Sequence, residues 1–241
     1  MYRKLGIVGG MGPEATHSLH KGLINGAGAK NDQEHLDLVI INDPKIPDRT
    51  KAILYDGPSP VPFIVEDCRI CAAAGCDIIA VPCNTAHYFF EEIQARSPVP
   101  VLNMIELVAD ELEEAGIQKA FIMATEGTTQ SGLYEDVLGK RGIVLVRPSS
   151  DELAILMKVI YEIKAGAICT DAIGVDSTVE DLDRLVEMVV AYCSCGCERI
   201  ILGCTELSLV VEYMTARGIA AELFVDSIDV LTQAILRGFG R

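Results

Sequence analysis

Two segments of this chain read alike although 121 residues separate their cysteines, at positions 83 and 204: Val81-Pro82-Cys83-Asn84-Thr85-Ala86-His87 and Leu202-Gly203-Cys204-Thr205-Glu206-Leu207. Each follows an apolar run, Asp77 to Ala80 in one case and Arg199 to Leu202 in the other, and each precedes residues suited to starting a helix. The pattern places both thiols at C-terminal ends of strands, beside helix starts. Open α/β sheets carry their chemistry at those strand ends. A separation of about one lobe predicts a duplication, with two similar halves related by a pseudo-twofold axis and each contributing one thiol.

The rest of the chain supports that architecture. Short apolar runs alternate with helix-length amphipathic runs, the signature of βαβ units. Strands are predicted at Leu5 to Gly9, Leu36 to Ile41, Asp77 to Val81, Val99 to Leu102, Lys119 to Ala124, Ile143 to Val146, Arg199 to Leu202 and Leu223 to Val225. Half of the 241 residues are apolar and tryptophan is absent, which suits parallel sheets built from Val, Ile, Leu and Ala. The expected fold is two similar three-layer α/β lobes with mainly parallel sheets and an active site in the cleft between them. Pro98-Val99-Pro100 marks the passage between lobes, and the last strand and helix are expected to return to the first. The predicted domains are therefore 1–101 with 213–241, and 102–212.

A net charge of −15 argues against nucleic acid or an anionic membrane surface as partner. No segment approaches the roughly 20 apolar residues of a membrane span. The apolar stretch near Met1 is too short for a signal peptide and runs into the first strand, so a cytoplasmic protein is expected. Nine cysteines, an odd number, read as reduced thiols. Neither Cys68/Cys71/Cys76 nor Cys193/Cys195/Cys197 has the paired spacing of a structural zinc site, so no metal is expected. Gly10, Gly12 and Ala15 loosely fit a dinucleotide fingerprint, but the second strand ends at Asn42-Asp43, about 30 residues on, where about 20 is required. No cofactor is expected.

The chemistry therefore falls to the thiols. A free thiol ionises near pH 8.5, and helix N-termini or nearby donors lower that value. Two thiols on opposite faces of one carbon can invert it, one removing a proton while the other delivers one. The plainer alternative is that both cysteines fill strand ends, as small buried thiols often do; the matched flanks favour chemistry. Arg49, in a proline-rigidified loop after the second strand, can present its fork to a carboxylate, or it can simply pair with Asp48. Thr125 to Thr129 opens a helix after a strand and offers either a carboxylate cradle or ordinary capping. Lys164 lies near a helix end, where a cation complements the dipole or meets an anionic ligand. His87, four residues after Cys83, either raises its thiolate fraction or satisfies nearby backbone. Asn84 and Glu206 either orient a ligand or cap a helix.

Taken together, Gly9-Gly10-Met11-Gly12-Pro13, Pro47-Asp48-Arg49-Thr50, the two cysteine blocks, Ala124-Thr125-Glu126-Gly127-Thr128 and Ile163-Lys164-Ala165-Gly166 resemble the aspartate/glutamate racemase superfamily, most closely its aspartate racemase branch. The resemblance implies a cofactor-independent racemase, commonly a homodimer, acting on a small dicarboxylic amino acid. Carried over by position, Cys83 and Cys204 are the acid/base thiols. Asn84, Thr85, Thr125 and Thr205 hold the α-carboxylate, and Arg49 and Lys164 neutralise the side-chain carboxylate. Met11 and Thr128 join the binding set, with His87 and Glu206 in support. A maleate isomerase, a hydantoin racemase or a non-catalytic amino-acid-binding protein on the same fold are the alternatives.

Overall fold

The computed structural model describes residues 2–166 and 176–241 and divides into two compact units, Met1–Val108 with Ile228–Arg241, and Ala109–Ser227. The first contains β1 (Leu5–Gly9), α1 (Pro13–Gly26), β2 (Leu38–Asn42), α2 (Arg49–Leu54), α3 (Val61–Ala73), β3 (Ile78–Ala80), α4 (Phe90–Arg96) and the start of α5 (Met104–Glu114). Its sheet is parallel, in the order β2-β1-β3. The second unit contains β4 (Lys119–Ala124), α6 (Glu126–Gln130), α7 (Leu133–Lys140), β5 (Val144–Val146), α8 (Ser150–Lys164), α9 (Asp176–Ser194), β6 (Arg199–Gly203), α10 (Val211–Thr215) and β7 (Phe224–Asp226). Its sheet, also parallel, runs β5-β4-β6-β7. Helix α11 (Ser227–Gly238) then joins the first unit.

Burial follows from sheet position. The central strands β1, β4 and β6 are almost wholly buried, whereas the edge strands β2 and β5 are partly open. A strand covered on both faces needs apolar residues at every position, and its alternate side chains enter different layers. In the first unit Leu5, Ile7, Ile78 and Ala80 pack with α1 and α11 residues such as Leu19, Leu23, Leu231 and Ile235. Val8, Ile79 and Val81 pack on the other face with Val61, Ile64, Cys68 and Cys71 of α3. Each fully buried Leu or Ile of α11 contributes about 1.5–3 kcal/mol, enough to hold the C-terminal helix in this unit.

Two sequence expectations are corrected here. The strand at Leu223–Val225 does not complete the first sheet: β7 pairs with β6, with Ile200 opposite Phe224 and Leu202 opposite Asp226, and only the helix returns. Nor does the Val99–Leu102 segment leave the first unit. Val101 bridges Ile79 there, and Ile79 donates its N–H to Pro100 and accepts from Leu102. With proline at 98 and 100 the segment lacks the donors for a full strand. The division between units therefore falls inside α5, not at residue 101.

Both units launch their central strands with one device. Helix α3 closes through Gly75 (φ 87°) and a Cys76 N–H bond to the Cys71 carbonyl; α9 closes through Gly196 (φ 85°) and a Cys197 N–H bond to Tyr192. These are Schellman closures, in which glycine takes the left-handed position. An acid follows each. Asp77 accepts from the backbone N–H groups of Arg3 and Lys4, and Glu198 accepts from those of Gln118 and Lys119. A lysine completes each clamp, Lys4 Nζ donating to the Ala74 carbonyl and Lys119 Nζ to that of Cys195. Several cysteines are thereby explained as packing. The described cysteines are free thiols, and burial pushes Cys68 up to about 11 and Cys71 up to about 12, so they stay protonated and inert.

Candidate active site

In the first unit Cys83 follows β3 in extended conformation (φ −153°, ψ 107°) and leads into a 3-10 turn, Asn84–Phe89, before α4 begins. In the second, Cys204 follows β6 with φ −134° and ψ 124°, leads into the 3-10 turn Thr205–Val210, and α10 follows. Each cysteine carbonyl accepts from the N–H three residues on, Ala86 or Leu207. Each residue is 5 % exposed. The expected α-helix start is thus a 3-10 turn of six residues in both places, a correction that weakens the dipole argument for either thiol.

His87 does not face the Cys83 thiol. Its Nδ1 donates to the Cys83 carbonyl at 2.9 Å, and its Nε2 accepts the Met104 N–H at 3.1 Å. Burial pushes the imidazole below its ordinary value, so the neutral ring acts as a strut between the thiol-bearing segment and the start of α5. Asn84 and Thr85 are buried in the same turn.

Arg49 opens α2, where Asp48 is the cap and accepts from the Lys51 N–H at 2.9 Å. The arginine is pinned by carbonyls: Nη1 donates to Ile46 and Pro47, and Nη2 donates to Met11 at 3.1 Å. Its Nε is buried without a hydrogen-bond partner among the described residues. An orphaned buried guanidinium donor is costly unless an acceptor arrives, and a carboxylate is the natural one. The Met11 loop is itself tightly set. A Cβ at Gly10 (φ 90°) would run into the backbone of Asp43, and the Gly10 N–H donates to Thr16 Oγ1.

In the second unit Thr125 caps α6, its hydroxyl accepting from the Thr128 N–H and lying 3.1 Å from the Thr128 hydroxyl. Thr129, in the stretch expected to serve either as carboxylate cradle or as cap, keeps a buried hydroxyl with no hydrogen-bond partner among the described residues. Glu206 is 2 % exposed and organises the Cys204 segment. The Cys204 thiol donates to its Oε2 at 3.0 Å, the Thr205 hydroxyl donates to the same oxygen at 3.2 Å, and Lys164 Nζ stands 3.9 Å from Oε1. Burial first, and the neighbouring Glu206 charge second, push the Cys204 thiol well above its ordinary range, while Lys164 pulls the other way. Position 208, the counterpart of His87, is a serine whose buried hydroxyl has no hydrogen-bond partner among the described residues. Within the first unit the fold thus gathers Met11 with Arg49, and Cys83 with Asn84, Thr85 and His87. Within the second it gathers Thr125 with Thr128, and Cys204 with Thr205, Glu206 and Lys164.

Residues 8–235 match the Asp/Glu/hydantoin racemase family. The chain belongs to that family. The broad-specificity amino-acid racemase RacX of Bacillus subtilis is 27 % identical over 214 residues, covering 87 % of this chain and 88 % of the relative. Among solved structures, the Picrophilus torridus aspartate racemase superposes with a TM-score of 0.81 at 30 % identity, covering 99 % of this chain and 94 % of the other. A glutamate racemase from Campylobacter jejuni shares the fold at 16 % identity and a TM-score of 0.66, covering 98 % and 85 %. The two parallel sheets described above are those of the family's two-lobed fold. Among the described residues no helix is long and apolar enough to cross a membrane.

Proposed function

We propose that this protein is an amino-acid racemase that interconverts L- and D-aspartate by a two-thiol mechanism. The observation that carries the reading is the repeated strand, extended cysteine and 3-10 turn at Cys83 and Cys204. One thiolate removes the α-proton of the bound amino acid, and its electron pair passes into the carbanion. The other thiol then protonates the opposite face, leaving the thiol pair with its proton exchanged between partners. Hydrogen-bond donors around the α-carboxylate, assigned to Asn84, Thr85, Thr125 and Thr205 with Thr128 behind them, stabilise the charge that develops there. Because two thiols supply both proton transfers, no cofactor is required.

Aspartate is the preferred substrate because Arg49, fixed by three carbonyls with Nε unsatisfied, is built for a second carboxylate beside the Met11 loop. Lys164 is its proposed companion on that carboxylate. Glutamate differs by one methylene, a difference worth about 1–3 kcal/mol in a pocket. A broader substrate range is the second reading, favoured by the relationship to RacX and by the engagement of Lys164 with Glu206. A cytoplasmic homodimer completes the proposal on family resemblance.

Incubating the purified protein with L-aspartate, L-glutamate and L-alanine in D2O without pyridoxal phosphate tests it. Loss of optical rotation with α-deuteration, fastest for aspartate, is the expected result. Equal rates for alanine would favour the broad range, and absence of exchange from every amino acid would remove the racemase reading.

A further inference from the structure

The two thiols lie in matched backbone settings but face different chemistry. Among the described residues, the charged groups facing Cys204 are Glu206 on its own turn and Lys164 at the end of α8, the helix packed on that turn. Glu206 is almost completely buried, yet among the described residues Oε1 has no hydrogen-bond partner and meets only the distant Lys164 ammonium, while Oε2 receives the Cys204 thiol. A carboxylate at hydrogen-bond distance from a thiol opposes formation of a second negative charge, and a lysine on its far side relieves that opposition. The position corresponding to Glu206 beside Cys83 is Thr85, which carries no charge.

We infer that Glu206 is a positioning residue that holds Cys204 as the protonated member of the thiol pair in the unliganded protein, and that Lys164 sets how firmly it does so. The inference rests on the racemase reading for its meaning in catalysis, but its geometry stands without it. Cys204 is then poised to donate a proton before it can accept one. A substrate carboxylate that draws Lys164 away from Glu206 tightens that hold, because the buried carboxylate loses its counter-charge. The charge on the substrate side chain thereby reaches the second thiol through Lys164 and Glu206, and a dicarboxylate commits Cys204 to the acid role more strongly than a neutral side chain does.

Opposite signs make this testable. Site-resolved alkylation of Cys204 by iodoacetamide, followed by peptide mass analysis on the unliganded full chain, reports its thiolate fraction. Between about pH 7 and 9, below the thiol's own range, the rate rises with pH. The isosteric Glu206→Gln is expected to raise the Cys204 rate about tenfold or more at every pH, and Lys164→Met to lower it several-fold. Exposed Cys195 serves as the folding control and keeps its rate in both variants. Unchanged Cys204 rates, or two variants that shift in the same direction, would overturn the inference. Should Glu206→Gln disturb Cys195, Glu206→Asp replaces it, with an intermediate acceleration expected. Because no turnover is measured, a protein that racemises nothing would refute the proposed function and leave this result standing.

Discussion

The Cys83 and Cys204 segments share a backbone and differ in what restrains them. In the first unit a neutral histidine grips the cysteine's main chain and leaves the thiol to its surroundings. In the second, Ser208 makes no such grip among the described residues, and a buried glutamate accepts a hydrogen bond from the thiol instead. The two units thus share the geometry that brings a thiol to a strand end, whereas the side chains two and four residues on differ in what they bond. A racemase draws one benefit from each. Its reaction is symmetric in energy, because enantiomers have equal free energies, but the proposed mechanism needs one ionised and one protonated thiol in any one turnover.

Replacing either cysteine by serine breaks the comparison most severely. A serine hydroxyl is a far weaker base, so each variant is expected to lose racemisation by roughly 10²–10⁴-fold. Proton exchange should survive one-sidedly: Cys204→Ser is expected to deuterate one enantiomer without inverting it, and Cys83→Ser the other. Following optical rotation together with α-deuteration by NMR checks both. Two variants that exchange the same enantiomer would show that the thiols do not serve opposite faces.

The strut at His87 ranks next. His87→Ala leaves the Met104 N–H without its side-chain acceptor, at a cost of about 1–3 kcal/mol for that buried donor, whereas the Cys83 carbonyl keeps the Ala86 N–H. Denaturant unfolding measures that loss, and no comparable loss is expected for Ser208→Ala. The pH dependence follows from the direction of the histidine shift. A ring whose folded value lies below its unfolded one binds protons more readily when unfolded, so its contribution is present above about pH 6.5 and is lost as pH falls from there towards the folded value. Wild-type stability should decline across that acidic range more than that of His87→Gln.

The smallest effects belong to the strand-start clamps, where the units match. Asp77→Asn and Glu198→Gln each weaken a solvent-facing carboxylate's bonds to two backbone N–H groups. Each is expected to cost below about 1 kcal/mol, by similar amounts in the two units. Thermal unfolding of the paired variants checks the equality, and a large disparity would show that the likeness is only geometric.

Much of this was legible in the residues. Strand runs such as Leu5–Gly9 and Lys119–Ala124 were readable because buried parallel strands are continuously apolar, and the cysteine repeat located both candidate thiols. The destination of the last strand was not, since Phe224–Asp226 could pair with whichever sheet edge lay open. The proline-bracketed segment ending at Val101 gave a similar ambiguity, a strand by composition but a single bridge in the fold. Glu206 and His87 were visible as polar neighbours, yet their aim was hidden. Spacing placed His87 near Cys83, but whether the ring met sulfur or carbonyl depended on the Met104 N–H, 17 residues on.

The order of the amino acids thus determined two α/β lobes, a thiol at one strand end in each, and membership of the Asp/Glu/hydantoin racemase family, because hydrophobic period and local turn chemistry act over a few residues. Tertiary structure alone decided which sheet β7 joins, which cysteines serve as packing and which carboxylate accepts the second thiol's hydrogen bond. The first two depend on close approach between residues distant in sequence; the third joins residues two apart, and there it is burial by the surrounding fold, which removes water, that gives the 3.0 Å contact its electrostatic weight.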